Sequence, residues 1–141
     1  MADISASLQK LEAAARAAAQ HSYSPYSSFP VGAAVLTEDG KIFSGCNVEN
    51  ASFGLTLCAE RVALFSAVAA GLRHFKILLL YTPTPRPCLP CGACRQVLRE
   101  FVQDVRVICL CDGPERLDLT LDILLPHAFE PSALHLREQT P

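Results

Sequence analysis

The chain has 141 residues, of which 50% are hydrophobic and 18% are charged, a composition that excludes a disordered chain and can build a core. The 12 Lys and Arg residues against 14 Asp and Glu residues give a net charge of −2. The chain therefore lacks the basic excess that binding to a nucleic-acid backbone requires.

Helical and strand patterns alternate along the chain. The amino-terminal helix is predicted at residues 4–20, where apolar side chains recur at helical spacing and Asp3 or Ser5 precedes or caps them. The later elements are, in chain order, strands at 31–36 and 42–48 joined by an Asp-Gly turn, a helix at 59–70 ended by Gly71, a strand at 77–81, a helix at 92–103, strands at 105–111 and 117–121, a helical turn at 122–125 and a short helix from residue 130. Strands that alternate with helices predict an α/β fold with helices on both faces of a sheet.

Two segments interrupt this pattern and are predicted as loops. Residues 22–30 are rich in Ser and Pro and carry Tyr23, Tyr26 and Phe29. Such an aromatic loop either packs on the body of the protein or lines a ligand pocket. Residues 82–90 contain four prolines, which exclude a regular helix or a central strand there.

The sequence predicts neither a membrane span nor an export signal. The longest apolar stretch, residues 62–72, is shorter than the roughly 18 residues that a membrane helix needs. The amino terminus lacks the basic and then apolar pattern of a signal peptide. We therefore expect a single cytoplasmic domain over residues 1–141, with fraying over residues 132–141.

Three of the seven cysteines have the spacing of metal ligands. Cys91 and Cys94 form a C-x-x-C at the start of one predicted helix, and Cys58 stands at the start of another. Helix amino termini favour thiolates, and three thiolates can bind one zinc ion while leaving a fourth position for water. Three further cysteines lie in predicted strands and are interpreted as core residues: Cys46, Cys109 and Cys111.

Charged residues next to these cysteines suggest catalysis. Glu60 follows Cys58 by two positions, so its carboxylate can act as general base and then general acid beside the metal without binding it. Three thiolates and one Zn²⁺ sum to −1. Arg61 and Arg95 could offset this charge by donating to the sulfurs, the alternative for each being an ordinary surface arginine.

Two other readings of the cysteines remain open at this point. A C-x-x-C can be a redox pair, although a thioredoxin-like fold would place it after the first strand and would not need Cys58 or Glu60. Cys88 could complete a structural zinc site with four cysteines, although such a closed site has no use for the neighbouring glutamate.

The sequence C-A-E followed by P-C-x-x-C resembles the signature of zinc-dependent nucleobase and nucleoside deaminases in their three-cysteine form. Over residues 21–131 the chain resembles the small homotetrameric cytidine deaminases. The segments that carry this resemblance are F-P-V-G-A-A at 29–34, G-C-N-V-E-N-A at 45–51, C-A-E-R at 58–61, P-C-G-A-C-R-Q-V at 90–97, and L-L-P at 124–126 followed by Phe129.

The resemblance implies a three-layer α/β/α domain with a mixed five-stranded sheet, one Zn²⁺ per subunit, and a homotetramer with pockets shared between subunits. It implies these roles: Cys58, Cys91 and Cys94 bind zinc, Glu60 moves protons, Asn47 and Glu49 hold the ribose, Phe29 packs on the pyrimidine, Ala59 reads the base edge through its backbone, and Phe129 closes a pocket on a neighbouring subunit. Asn47 could instead only cap a turn, as Asn50 could. The chain departs from the family at Phe53, where a Tyr is common, and at Pro83, Cys88 and Leu89.

The expected reaction is the hydrolytic deamination of cytidine and 2′-deoxycytidine to uridine and 2′-deoxyuridine, with release of ammonia, in pyrimidine salvage. A blasticidin-type deaminase would share the metal motifs, although the asparagine and glutamate at positions 47 and 49 favour a ribose. A zinc-stabilised interaction module without catalysis, or an inactive member of the family, would make Glu60 dispensable.

Overall fold

The structure is a computed structural model that describes residues 2–139. Its helices and strands are α1 (Ala2–Ala19), β1 (Gly32–Thr37), β2 (Ile42–Cys46), α2 (Ala59–Ala69), β3 (Phe75–Tyr81), α3 (Gly92–Phe101), β4 (Arg106–Leu110), β5 (Leu117–Thr120) and α4 (Leu121–Leu124). Short 3₁₀ helices cover Phe53–Leu55 and Pro131–Gln139. This order confirms the predicted alternation. Thr140 and Pro141, the end of the segment predicted to fray, lie outside the described residues.

The strands form one mixed sheet of five strands in the order β2-β1-β3-β4-β5. β3 and β4 pair in parallel, and the other neighbours are antiparallel. The β1–β2 hairpin turns through Gly40, whose φ of 88° lies in the left-handed region that glycine adopts without strain. The parallel pair needs a crossover, and α3 supplies it.

Alternate residues of the central strands enter two different apolar layers. Val35 of β1 and Leu80 of β3 face the layer under α2, α3 and α4. Leu36 and Leu79 of the same strands face the layer under α1. Because successive strand side chains point to opposite faces, the nearly continuous apolar strands require cover on both sides. The predicted α/β/α layering is therefore confirmed.

Glycine at position 45 brings α2 close to the sheet edge. A Cβ atom on Gly45 would lie 2.5 Å from the backbone nitrogen of Ala63 and 2.8 Å from the carbonyl oxygen of Ala59. No side chain fits at such distances, so the helix backbone rests directly on β2. This contact sets the position of the first turn of α2, which directly follows Cys58.

Most predicted boundaries differ from the observed ones by one or two residues, among them the start of α1 and the end of β2. α1 already begins at Ala2, so Asp3 and Ser5 lie inside the helix rather than before it; alanine is the best helix former and carries the helix past these residues. β2 ends at Cys46, two residues early. Val48 leaves the sheet because it bridges Tyr23 and Leu57 instead.

Within residues 2–139, no helix is long and apolar enough to span a lipid bilayer.

Candidate active site

Three cysteine sulfurs converge at the amino ends of two helices. Cys58 is the N-cap of α2, Cys91 is the N-cap of α3, and Cys94 lies in the first turn of α3. The Cys58 and Cys91 sulfurs are 3.8 Å apart, and the Cys91 and Cys94 sulfurs are 3.5 Å apart. Tetrahedral zinc with zinc–sulfur bonds of about 2.3 Å separates its sulfurs by about 3.8 Å. The cluster therefore fits one Zn²⁺, as predicted.

The electrostatics of the cluster favour a cation. The thiol of Cys94 and the guanidinium of Arg61 hydrogen-bond to Cys58 and lower its pKa to about 5. The same bond with Cys58, followed by burial, raises the pKa of Cys94. The thiol proton of Cys94 thus stabilises the thiolate of Cys58. A metal ion held among the three sulfurs displaces such a proton, because coordinated thiols are deprotonated.

The two arginines near the cluster have different partners. Nη2 of Arg61 donates to the Cys58 sulfur at 3.3 Å, as the sequence suggested. The expectation for Arg95 needs correction: its Nε donates to the carbonyl of Pro90 at 2.8 Å, and its Nη1 donates to the carbonyl of Leu124 at 2.7 Å. Arg95 follows Cys94 by one position, and successive helix residues point about 100° apart, so its side chain leaves the sulfurs.

The fourth thiol that the sequence placed near the site is not part of the cluster. Among the described residues, the metal-binding group consists of Cys58, Cys91 and Cys94 alone. The sulfur of Cys88 instead lies 3.9 Å from the hydroxyl of Thr84. The arrangement therefore leaves the fourth position of a tetrahedral metal open, as a catalytic site requires.

Glu60 is a buried acid beside this cluster. Its residue is only 6% exposed, in the first turn of α2, and Ala59 before it is fully buried. Burial and then the charge of Cys58 raise the pKa of the Glu60 carboxyl above its ordinary value. A raised pKa lies closer to neutral pH, and a carboxyl with such a pKa can both accept a proton and return it.

Asn47 connects the aromatic loop to the sheet. Its Nδ2 donates to the carbonyl of Phe29 at 2.8 Å, and its Oδ1 accepts the backbone N–H of Val31 at 2.9 Å. The hydroxyl of Ser22 also donates to this oxygen. The turn-organising role that the sequence left open is therefore real, and among the described residues the second N–H of Nδ2 has no hydrogen-bond partner.

Glu49 lies at the wall of a cavity of about 330 Å³. One carboxylate oxygen, Oε1, accepts the backbone N–H groups of Tyr26 and Ser27 at 2.9 and 3.1 Å. Bonds from Ser27 and then Tyr26 hold the pKa of this carboxyl below its ordinary value. The cavity is otherwise lined by Phe53, Thr56 and the same two loop residues. Within the described chain, Oε2 of Glu49 has no hydrogen-bond partner.

A short backbone bridge ties Glu49 to the metal cluster. The N–H of Val48 donates to the carbonyl of Leu57, and the N–H of Leu57 donates back to Val48, each at 3.0 Å. Val48 precedes Glu49, and Leu57 precedes Cys58. The ribose-binding candidate and a cluster thiol are thus neighbours through one pair of hydrogen bonds.

The two phenylalanines of the predicted site are both exposed. Phe29 lies in the aromatic loop after Ser28, whose φ of 54° marks a sharp turn. Phe129 is 62% exposed, but its backbone is held by Gln96 of α3. Sequence reasoning named neither Gln96 nor the cavity residues Tyr26 and Ser27 as site residues. The Tyr in the aromatic loop was the one available signal.

Comparisons with known proteins agree with this geometry. The family model described as "Cytidine and deoxycytidylate deaminase zinc-binding region" matches residues 5–111. A cytidine deaminase of Sporosarcina psychrophila is 46% identical over 123 residues, which are 86% of this chain and 90% of that protein. One from Mycobacterium tuberculosis H37Rv is 44% identical over 112 residues, 79% of this chain and 81% of that protein.

Solved structures show the same fold. The 1.6 Å crystal structure of cytidine deaminase from Burkholderia pseudomallei has a TM-score of 0.82 at 48% identity, and the match covers 86% of this chain and 98% of that chain. Cytidine deaminase from Mycobacterium tuberculosis gives a TM-score of 0.73 at 39% identity, covering 87% and 97%.

The mixed sheet and the open three-thiol site define a zinc-dependent hydrolase that acts on pyrimidine amino groups. The chain belongs to the cytidine and deoxycytidylate deaminase family. The resemblance found in the sequence is therefore confirmed.

Proposed function

We propose that this protein deaminates cytidine and 2′-deoxycytidine hydrolytically to uridine and 2′-deoxyuridine. The observation that carries the proposal is the buried carboxyl of Glu60 in the helix turn that follows Cys58, beside an open three-thiol cluster. The names of the relatives support cytidine as the substrate. Free nucleosides also suit a surface with a net charge of −2, which offers no basic stripe to a polynucleotide.

In the proposed site, Cys58, Cys91 and Cys94 hold one zinc ion, and Arg61 stabilises the Cys58 thiolate. When bound, zinc supplies a Lewis acid that lowers the pKa of a water at its open position towards about 7. Arg95 acts indirectly. It holds the carbonyl of Pro90, which precedes Cys91, and so orients this zinc ligand.

Glu60 moves the protons of the reaction. It accepts a proton from the attacking water and delivers one to N3 of the pyrimidine while the water oxygen adds to C4. It then carries the remaining proton of the oxygen now on C4 to the 4-amino group, the bond from C4 to that nitrogen breaks, that oxygen becomes the 4-carbonyl of uridine, and ammonia leaves. Burial favours these transfers, because a carboxyl with a raised pKa returns its proton readily.

The sugar and base bind along the cavity next to the cluster. Oε2 of Glu49 accepts a hydrogen bond from the 3′-hydroxyl, which ribose and deoxyribose share, and the remaining N–H of Asn47 donates to the sugar. Because both groups are fixed by the aromatic loop, an analogue without the hydroxyl leaves them unpaired and binds less well. Phe29 packs against the pyrimidine, and the backbone at Ala59 reads the edge of the base.

We further propose a homotetramer in the cytoplasm that serves pyrimidine salvage. Several large apolar side chains are exposed on the single chain, and an assembly would remove them from water. They are Phe53, Leu55, Ile123, Phe129, Leu134 and Leu136. In this assembly Phe129 closes the pocket of a neighbouring subunit.

The decisive test follows the ultraviolet absorbance of cytidine with the wild type and with Glu60→Gln. Gln keeps the size of the side chain but cannot accept a proton, so we expect zinc content to stay at one per chain while kcat falls at least about 10³-fold. Unchanged activity in the variant would contradict the proton role. Turnover of blasticidin without any turnover of cytidine would contradict the substrate.

A further inference from the structure

Two side chains on one face of α3 hold Phe129 and its neighbour Glu130. Nε2 of Gln96 donates to the carbonyl of Phe129 at 2.9 Å, and the N–H of Phe129 donates to Oε1 of Gln96 at 3.3 Å. Three positions later, Arg99 donates to the carboxylate of Glu130 from Nε at 2.9 Å and from Nη2 at 2.5 Å. Helix residues three apart share a face, so Gln96 and Arg99 form one clamp.

The Gln96 contact holds the backbone of Phe129 directly. The residue is 62% exposed, so burial against this chain does not hold it. A single side-chain amide instead satisfies both backbone groups of Phe129, which leaves the ring only its own side-chain rotations. A ring whose backbone is already held loses less conformational entropy when it meets a ligand, and therefore binds the ligand more strongly.

The same helix carries the metal cluster. Cys91 caps α3, Cys94 lies in its first turn, and Gln96 follows two positions later, about 3 Å along the helix axis. Arg95 between them holds the carbonyl of Leu124, at the start of the segment that leads to Phe129. One rigid element thus sets both the two thiols and the path of the carboxy-terminal segment.

We propose that Gln96 is a positioning residue that determines nucleoside affinity by aiming the ring of Phe129 at the pocket of a neighbouring copy. Gln96 does not touch the substrate; it acts through the Phe129 backbone. The inference rests on the proposed function, since it assigns Phe129 a pyrimidine nucleoside to cover.

The first test measures the clamp without using activity. In Gln96→Met the side chain keeps its length and helix propensity but loses both hydrogen bonds. We expect hydrogen–deuterium exchange at the Phe129 amide to accelerate about tenfold, while exchange within α3 and zinc content stay as in the wild type. Gln103→Met is the matched control, because the exposed Gln103 offers only its backbone carbonyl to Arg99. Unchanged exchange at Phe129 would overturn the proposal.

The second test is a double-mutant cycle in deamination kinetics. Gln96→Met should raise KM for cytidine about five- to tenfold with kcat within about twofold, the size that losing one or two hydrogen bonds produces. The double variant Gln96→Met/Phe129→Ala should have the same KM as Phe129→Ala alone, because a positioning residue has no effect once its target is gone.

The two kinds of failure can be told apart. If Gln96→Met raises KM as much in the Phe129→Ala background as in the wild type, Gln96 does not act through Phe129 and the proposal falls. If instead the zinc-loaded wild type deaminates no pyrimidine nucleoside, the proposed function falls and the positioning role falls with it, while the exchange measurement still reports whether the clamp exists.

Discussion

The two faces of the sheet are built in the same way but do different work. On one face Gly32 lies so close to α1 that a Cβ would come within 1.9 Å of the carbonyl oxygen of Ala15. On the other face Gly45 makes the same kind of contact with α2 at Ala59 and Ala63. Both helices rest on the sheet through a glycine. Only the second helix begins at a metal-binding residue, so the same packing device is structural on one face and positions chemistry on the other.

The two faces of the sheet also differ in the arrangement of their polar groups. On the α1 face, Arg16 lies over the ring of Tyr81 at 4.4 Å, and the Tyr81 hydroxyl donates to Asp112 at 2.6 Å. These groups satisfy one another at the surface and hold α1 to the sheet. On the other face, by contrast, Glu60 and Cys94 are buried beside an open cluster. Buried ionisable groups whose pKa values are shifted mark the functional face.

The largest expected effect comes from comparing two buried thiols, Cys94 in the cluster and Cys109 in the core. Cys94→Ala removes a cluster sulfur and should abolish stoichiometric zinc and reduce activity at least about 10⁴-fold, because the metal loses one of three ligands. Metal analysis and cytidine turnover measure both effects.

Cys109→Ala is the control for that experiment. Burial raises the pKa of Cys109 to about 12, so this thiol stays neutral and serves as a core residue. The variant should keep one zinc per chain and activity within about twofold, at a stability loss of about 1 kcal/mol. Loss of zinc in this variant would show that the site needs a fourth sulfur.

The next largest expected difference is between alanine substitutions at Gly45 and at Gly32, measured as stability and zinc retention. Gly45→Ala should push α2 from the sheet, lower stability by about 1–3 kcal/mol and also weaken zinc retention, because the helix start carries Cys58. Gly32→Ala should cost at least as much stability, yet zinc affinity and KM of the folded protein should remain unchanged. Thermal unfolding with competitive zinc chelation separates the two effects. Equal loss of zinc affinity in both variants would contradict the division between the faces.

The smallest expected effect is at Tyr81. Tyr81→Phe removes the bond to Asp112 and should cost about 1 kcal/mol of unfolding free energy without changing kcat or KM. The bond to Asp112, then burial, raises the pKa of the Tyr81 hydroxyl. The folded wild type therefore holds this proton longer than the unfolded chain does, so its stability declines as pH rises above about 10, the tyrosine value in the unfolded chain.

That decline should be weaker in the Phe variant, because the variant has no proton to lose at this position. Chemical unfolding at pH 8 and at pH 10.5 measures the difference. A change in kcat at neutral pH would show that the α1 face takes part in the reaction.

Prediction from sequence succeeded where the information is local. Cys91 and Cys94 are three positions apart at a helix start, so their spacing alone brings their sulfurs together. The hairpin needed only an Asp-Gly turn between two apolar runs. Arg95 was misjudged for a local reason too: one step along the helix turns a side chain about 100°, and adjacency in sequence does not mean a shared direction.

Long-range contacts were less accessible. The bonds from Gln96 to Phe129 join residues 33 positions apart, and no periodicity in the sequence indicates which glutamine meets which backbone. The role of the Asn47 side chain was likewise undecided, since the sequence allowed either a ribose contact or a turn contact. The structure shows the turn contact and leaves one N–H available.

The sequence by itself determined the order of the elements, the α/β class and the identity of the metal-binding motifs, because these follow from helix and strand periodicity and from the chemistry of thiols. Only the tertiary structure decided that Cys58 meets Cys91 at 3.8 Å across 33 residues, that Glu60 is buried beside them, and that α3 holds Phe129 outward. The physical reason is that these distances depend on how α2 and α3 rest on the sheet, and such packing is a property of the whole core rather than of any one segment.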